Sequence, residues 1–440
     1  MSEPSPFGAE LRSRRTAAGL SLGELARRVH YSKGHLSKVE AGQKPASAGL
    51  VRLCDAELGA GGELVNLLPT TACGNGANEQ PDGSDTGDQE TWVIGIGNDG
   101  AYFTPVSDPH LMANGTSAAL GMTFEGQARA NTDAALGPFL ARFDEARNLG
   151  QVAGPDVVFP LVILEARTLQ VLADHAPPYE QTALLQLAAR YAEFAGWMAQ
   201  EAGDDRMAWW LTKKAVRMAN AGGDPSLRLY ALVRRADIAL YQDDALSLIE
   251  LSRRAQQHDQ VPVRIRGLAA QREAQGHALI GDRTACMRAI DRSAVLLTEA
   301  TISPQAGPTL GTARTPDLVA LMKGWCLHDL GRPAEAAELL DREIARFPPR
   351  AHRAQVRYQT RAALAYAMAD ELERATELIV SLLEPARILD SATIRHDLRS
   401  LTKVLARRRS YPAVRPLLPA LTTLLQEKRN TLIGDPLLGH

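Results

Sequence analysis

Cysteine and aromatic residues are scarce in this 440-residue sequence: there are four cysteines, and Phe, Trp and Tyr together make up 5% of the chain. Cys54, Cys73, Cys286 and Cys326 stand far apart, with none of the paired spacings of a zinc site or a disulfide framework. Free thiols in a reducing compartment are therefore expected. No apolar run approaches the roughly 18–20 residues of a membrane helix. The opening "MSEPSPFGAE" is polar and lacks the basic and apolar stretches of a secretory leader. The expected location is cytoplasmic, away from any membrane. Charge of one sign is lacking too, since 49 Lys and Arg face 51 Asp and Glu for a net charge of −2. That balance excludes a basic nucleic-acid coat protein, so any DNA-binding surface must be local. The ten histidines are dispersed, and no metal-ligand spacing, P-loop or G-x-S-x-G element occurs. The expectation is a chain that is not an enzyme, with no catalytic residues, no cofactor and no metal.

What is present begins with short helices. Phe7 to Ala18 is apolar at Phe7 and Leu11 and stops at Gly19. Ser21 with Glu24 three residues on forms a capping box, after which Leu22, Leu25, Ala26 and Val29 share a face. His30-Tyr31 is a break, and Ser32 is placed to cap the helix that carries Leu36 and Val39 on one face and ends at Gly42. A fourth helix follows Ser47, and "GGELVNLLP" predicts a fifth. This is the layout of a helix-turn-helix unit. From Phe7 to Pro45 the cations Arg12, Arg14, Arg15, Arg27, Arg28, Lys33, Lys38 and Lys44 outnumber Glu10, Glu24 and Glu40. A positive excess inside a slightly negative chain suits phosphate neutralisation.

The stretch "LRSRRTAAGLSLGELARRVHYSKGHLSKVEAGQKPA" resembles the phage-repressor-like (XRE, lambda-repressor-like) helix-turn-helix family in its L-x-x-x-R, G-L-S, E-L-A and L-S-x-x-E-x-G elements. The resemblance implies a double-stranded DNA operator as partner. It also implies a buried ion pair between Arg15 and Glu40. Lys33, Gly34, Ser37 and Lys38 match the family's base-reading positions, and His35 lies beside them. Arg27 is assigned to the DNA backbone, and Lys44 is a further candidate DNA contact. Leu22 departs from the family, which often has a phosphate-holding Gln there.

Domain boundaries follow from composition. Residues 1–69 form the DNA-binding domain. Residues 70–90 ("TTACGNGANEQPDGSDTGDQE" and its neighbours) carry only acidic charge and no apolar pattern, predicting a flexible linker. In residues 91–118, "GIGNDG" fits G-x-G-x-x-G, but strand-like "AYFTPVSDP" follows it where a dinucleotide site needs a helix. Alternation at Trp92, Ile94 and Ile96 before Asn98-Asp99-Gly100 predicts a small β-hairpin.

Residues 119–440 are expected to be helical, so the fold class is all-α apart from that hairpin. A helix, a polar turn and an alanine-rich helix recur, with turn residues at Gly203, Asp243, Gly281, Gly331, Asp370 and Arg409, spaced 40, 38, 50, 39 and 39 apart. Such a period means an α-solenoid of helical hairpins. The long spacing holds an inserted loop, Thr301–Pro316. The unit with Gly324, Gly331, Ala336 and Pro348 resembles the tetratricopeptide repeat, and Ala274, Cys286, Ala363 and Ala375 keep its small positions elsewhere. Leu340, Ile290 and Ile379 fall in the core phase.

In such a repeat the first helix of each unit lines the concave face. That phase directs Arg190, Glu193, Trp197, Gln200, Tyr230, Asp237, Tyr241, Gln271, Gln275, Trp325, His328, Arg357 and Thr360 to a ligand-binding groove. Its mixture of aromatics, amides and both charges suits a peptide or small ligand. The order of head, tether and tetratricopeptide-like array is similar in plan to actinobacterial helix-turn-helix regulators and to the peptide-sensing RRNPP regulators. The resemblance implies a cytoplasmic, nucleoid-associated bacterial transcription regulator that works as a homodimer and senses a peptide or small molecule. An adaptor, tethered to DNA and holding a protein partner in the repeat groove, is the alternative reading.

Overall fold

The computed structural model describes residues 6–29, 33–42, 46, 48–60, 63–64, 67, 91–97, 100–106, 132–257, 261–302, 309–311 and 317–427. The expected linker at 70–90, Ser32, Lys44, Cys73 and most of the expected fifth helix lie outside the described residues, as does 107–131. The head contains α1 (Pro6–Ala17), α2 (Leu22–Arg28), α3 (Lys33–Glu40) and α4 (Ala48–Glu57). The Ser21 hydroxyl accepts from the Glu24 amide at 3.2 Å, and the Glu24 carboxylate accepts from the Ser21 amide at 2.8 Å. The box thus fixes the start of α2, as the spacing predicts. Phe7, Leu11, Leu25, Val29, Leu36, Val39, Leu50 and Cys54 are buried together as the head's core. Cys54 is one of three buried free thiols among the described residues, and burial pushes it up to about 12, so it packs as an apolar residue. Gly8 lets α1 cross α3 closely: a Cβ there would lie 2.5 Å from the Val39 carbonyl oxygen.

Two strands, β1 (Thr91–Gly97) and β2 (Gly100–Val106), pair antiparallel, from Thr91 opposite Val106 to Gly97 opposite Gly100. The glycines of "GIGNDG" therefore belong to a strand ladder rather than to a phosphate-binding loop before a helix.

The array opens with α5 (Thr132–Leu149) and α6 (Pro155–Asp174). Six helix pairs follow: α7 (Pro178–Glu201) with α8 (Asp205–Ala221), α9 (Ser226–Tyr241) with α10 (Ala245–Arg254), and α11 (Val263–Leu279) with α12 (Arg283–Ile302). The last three are α13 (Leu318–Asp329) with α14 (Pro333–Ile344), α15 (His352–Met368) with α16 (Leu372–Leu389), and α17 (Ala392–Ala406) with α18 (Leu417–Gln426). The first five pairs turn through a residue of positive φ: Gly203 (79°), Asp243 (57°), Gly281 (76°), Gly331 (77°) and Asp370 (67°). Glycine and Asp are the residues that enter this left-handed region at least cost. The carboxylates of Asp204, Asp244 and Asp282 then accept amides of the following helix at 2.8, 3.1 and 2.9 Å, and caps of this kind contribute about 1 kcal/mol each. Arg409 differs from the other expected turn residues. A longer connection separates α17 from α18, so no tight reversal is needed and its φ stays negative.

Small residues set the spacing within pairs: Ala274, Cys286, Ala336, Ala363 and Ala375 are fully buried, as are Leu340 and Ile379, with Ile290 at 5% exposure. Glu201, at the end of α7, and Arg353, on α15, join the two ends of the array. The Arg353 Nη1 donates to Glu201 Oε2 at 2.9 Å, its Nε to the Gly150 carbonyl at 2.7 Å, and its Nη2 to the Ala153 carbonyl at 2.6 Å. Thr393, on α17, donates to Glu201 Oε1 at 3.1 Å, and Ser391 donates to Oε2. Both ion-pair side chains are at least 96% buried. The array therefore curls until its beginning meets its end.

Breaking this junction on one side should be costly, since a buried charge loses its partner. Arg353→Met and Glu201→Gln are each expected to lower the unfolding free energy of the array by about 3–5 kcal/mol, read by urea denaturation of the full chain. A loss below about 1 kcal/mol would show that the junction adds little to stability.

Candidate functional site

Two surfaces have the makings of function, one on the head and one inside the array. On the head, Leu36 and Val39 are fully buried, which turns the opposite side of α3 outward. Lys33, Gly34, Ser37 and Lys38 are exposed there, His35 is half-buried, and Arg27 is exposed on α2. These six candidate DNA contacts therefore share the α2–α3 region. The seventh, Lys44, lies outside the described residues. Gly34 has nothing within 4 Å of an added Cβ, so the head's own packing does not require a glycine at that position.

α3 is held against α1 by the Arg15–Glu40 pair. Arg15 donates from Nε and Nη2 to the two carboxylate oxygens at 2.7 and 3.0 Å, and from Nη1 to the Leu20 carbonyl at 2.8 Å. The two side chains are 13% and 8% exposed, and the hydrogen bonds to Glu40 raise the Arg15 pKa further. Such a two-pronged pair fixes both position and orientation. A single contact, Arg28 Nη1 donating to Glu57 Oε1 at 2.7 Å, ties α2 to α4 at the surface.

Inside the curled array is a cavity of about 1470 Å³, counting the space at its open side. Of the eleven candidate ligand contacts, Arg190, Glu193, Trp197, Tyr230, Asp237, Tyr241, Gln271, Trp325 and Arg357 line it, and Gln200 joins them. Gln275 and His328 do not. Gln275 is fully buried and accepts from Arg272 Nη1 at 2.7 Å, and His328 is 7% exposed. Both sit one turn beyond a lining residue, toward the hairpin end of their helices, where the neighbouring pair covers them. Thr360 likewise turns inward, donating to the Val356 carbonyl at 2.8 Å.

Aromatic rings form part of the cavity wall. Phe194 stacks on Trp197 with centroids 5.6 Å apart, and Phe143 meets Phe194 edge-on at 6.0 Å. Tyr241 stands edge-on to Trp325 at 6.4 Å. Charges are threaded between them. Arg234 donates to Gln200 at 2.7 Å and Asp237 at 3.1 Å, and lies 3.7 Å from Glu193. Arg272 pairs with the same Asp237. Burial raises the Glu193 pKa above its ordinary value, against the pull of Arg234, Arg190 and Arg147, and burial pushes the Tyr230 hydroxyl up as well.

The periodicity missed Phe143, Arg147 and Gln151, because they precede the first recognisable repeat. It also missed Arg234, Arg272 and Arg353. Arg353 was within reach, since it lies four residues before Arg357 on the same helical face. Among the described residues no group of His, Cys, Asp and Glu is arranged to hold a metal, and no helix is long and apolar enough to cross a membrane.

Glu40→Ala leaves the Arg15 guanidinium without its carboxylate. It should destabilise the head by about 3 kcal/mol, seen as loss of the head's protease resistance while the array stays intact. A fully folded Glu40→Ala head with altered sequence preference would make Glu40 a base reader instead.

Residues 6–68 match the model of a family described as a helix-turn-helix domain. No curated protein and no solved structure matches the chain. The N-terminal part of the chain is therefore a helix-turn-helix domain, the DNA-binding element of regulators.

Proposed function

We propose that the chain is a sequence-specific transcription regulator of the phage-repressor-like type. Its head reads an operator, its tetratricopeptide-like array forms a homodimer, and the cavity senses a peptide or small ligand. The observation that carries the reading is that Glu201 and Arg353, which close the array, also line the cavity. A ligand there touches the residues that join the array's two ends. If it prefers one degree of closure, it shifts the placement of two heads by its differential affinity and no more. A switch between nearly all-off and all-on needs about 5.5 kcal/mol of such preference.

On the head, α3 enters the major groove with Lys33, Ser37 and Lys38 toward base edges, and Arg27 meets phosphate. Lys33→Ala and Lys38→Ala should each cost about 1–3 kcal/mol on the operator and much less on random DNA. Arg27→Ala should weaken both alike. These are read by titrating the full chain against an operator found by selection from random DNA. Equal losses on both DNAs for Lys38→Ala would take it out of the reading set.

Gly34 provides a sharper test. With open space around it, Gly34→Ala should stabilise the head by about 0.5–1 kcal/mol. If the glycine is there to let DNA approach, operator affinity should nevertheless fall. A variant that is both more stable and binds as tightly would show that the missing side chain has no role at the DNA.

A further inference from the structure

The charges of the cavity do not balance, and the imbalance specifies a ligand. Six arginines line it: Arg147, Arg190, Arg234, Arg272, Arg353 and Arg357. Only three carboxylates do so. Asp237 serves both Arg234 and Arg272, Glu201 is occupied by Arg353, and Glu193 stands 3.7 Å from Arg234. Arg190 pairs with Asp224, outside the lining, at 2.9 Å. Arg147 and Arg357 are left with neutral partners. Arg147 reaches the Gly311 carbonyl at 3.4 Å. Arg357 donates to the Tyr241 hydroxyl and lies over the rings of Tyr241 and Trp325, at 5.5 and 5.0 Å.

Hydrogen-bonding capacity is skewed in the same direction. Arg357 Nε, Arg190 Nη1 and Gln271 Nε2 are buried donors with no acceptor, and the Gln271 side chain belongs to a residue only 2% exposed. Each buried donor without an acceptor is costly, more so when it is charged. Guanidiniums held against aromatic faces are already oriented, so little freedom is lost when an anion arrives. Beside them, Phe194, Trp197 and Tyr230 offer an apolar wall.

We propose that the cavity takes an apolar ligand carrying one carboxylate, with the carboxylate received at Arg357 and the apolar part against Trp197 and Phe194. The proposal deepens the sensing function and rests on it. A free aromatic or acyl acid and the C-terminus of an apolar peptide present the same chemistry.

The test uses the full chain and two fluorescent probes of similar shape: anilinonaphthalenesulfonate, an anion, and N-phenylnaphthylamine, which is neutral. The sulfonate should bind with one site per chain and quench tryptophan emission. Arg357→Gln should weaken it at least tenfold while changing the neutral probe's affinity less than twofold, which also reports that the cavity is still folded. Arg147→Gln serves as a second variant and should weaken the sulfonate selectively. Equal effects on both probes, or none on either, would overturn the proposal.

Competition against the bound sulfonate then identifies the source of the carboxylate. Displacement by an apolar pentapeptide with a free C-terminus, but not by its amide, assigns a peptide. Displacement by indolepropionate alone assigns a free acid, and either result supports the carboxylate. Displacement by the amide as readily as by the acid would refute it. Operator affinity is measured separately. If selective anion binding leaves it unchanged, the anion site stands and the sensing function fails.

Discussion

The pairing of Arg353 with Glu201 is the constraint on which the array depends. Each is so deeply buried that its charge is costly without the other. The arginine also satisfies the carbonyls of Gly150 and Ala153, while the glutamate is held by Ser391 and Thr393. Four chain segments thus meet at two side chains, and the cavity is bounded because they meet. A stack of helical hairpins with free ends would present these same inner faces as an open groove.

Most of the helical architecture is local, and local structure is what a sequence displays. The capping box at Ser21 and Glu24, the buried phase of Leu36 and Val39, and the turns at Gly203, Gly281 and Gly331 all depend on neighbours within a few residues. The helical phase also brought nine of the eleven candidate contacts to the cavity. The junction was not legible, because Arg353 meets Glu201 across 152 residues and Gly150 across 203. Nothing in a period of about 40 residues says how strongly successive pairs rotate, so it cannot say that the ends meet. Gln275 and His328 illustrate the same gap. Phase gives the side of the helix, whereas curvature decides how far along that side the cavity extends.

Aromatic scarcity takes on meaning once the residues are placed. Trp197, Trp325, Tyr230, Tyr241, Phe143 and Phe194 all line one cavity, although the chain as a whole is only 5% aromatic. Arg353 lies over Trp197 at 5.6 Å and Arg361 over Trp325 at 3.6 Å, so rings and guanidiniums alternate. Alanine fills the helix interfaces instead, where small size allows close approach. The division is physical: the small residues let the helices of the frame pack closely, and a cluster of the aromatics lines the space it encloses.

The meeting of the two ends also limits how such a chain can change over time. An open solenoid tolerates duplication or deletion of a hairpin, because a new unit only lengthens the stack. Here one more pair between α7 and α15 would carry Arg353 past Glu201, and one fewer would stop it short. In either case two buried charges and two buried carbonyls lose their partners at once. The number of hairpins between those residues is therefore fixed as firmly as the identity of the residues, and variation is confined to side chains and to loops outside the circuit.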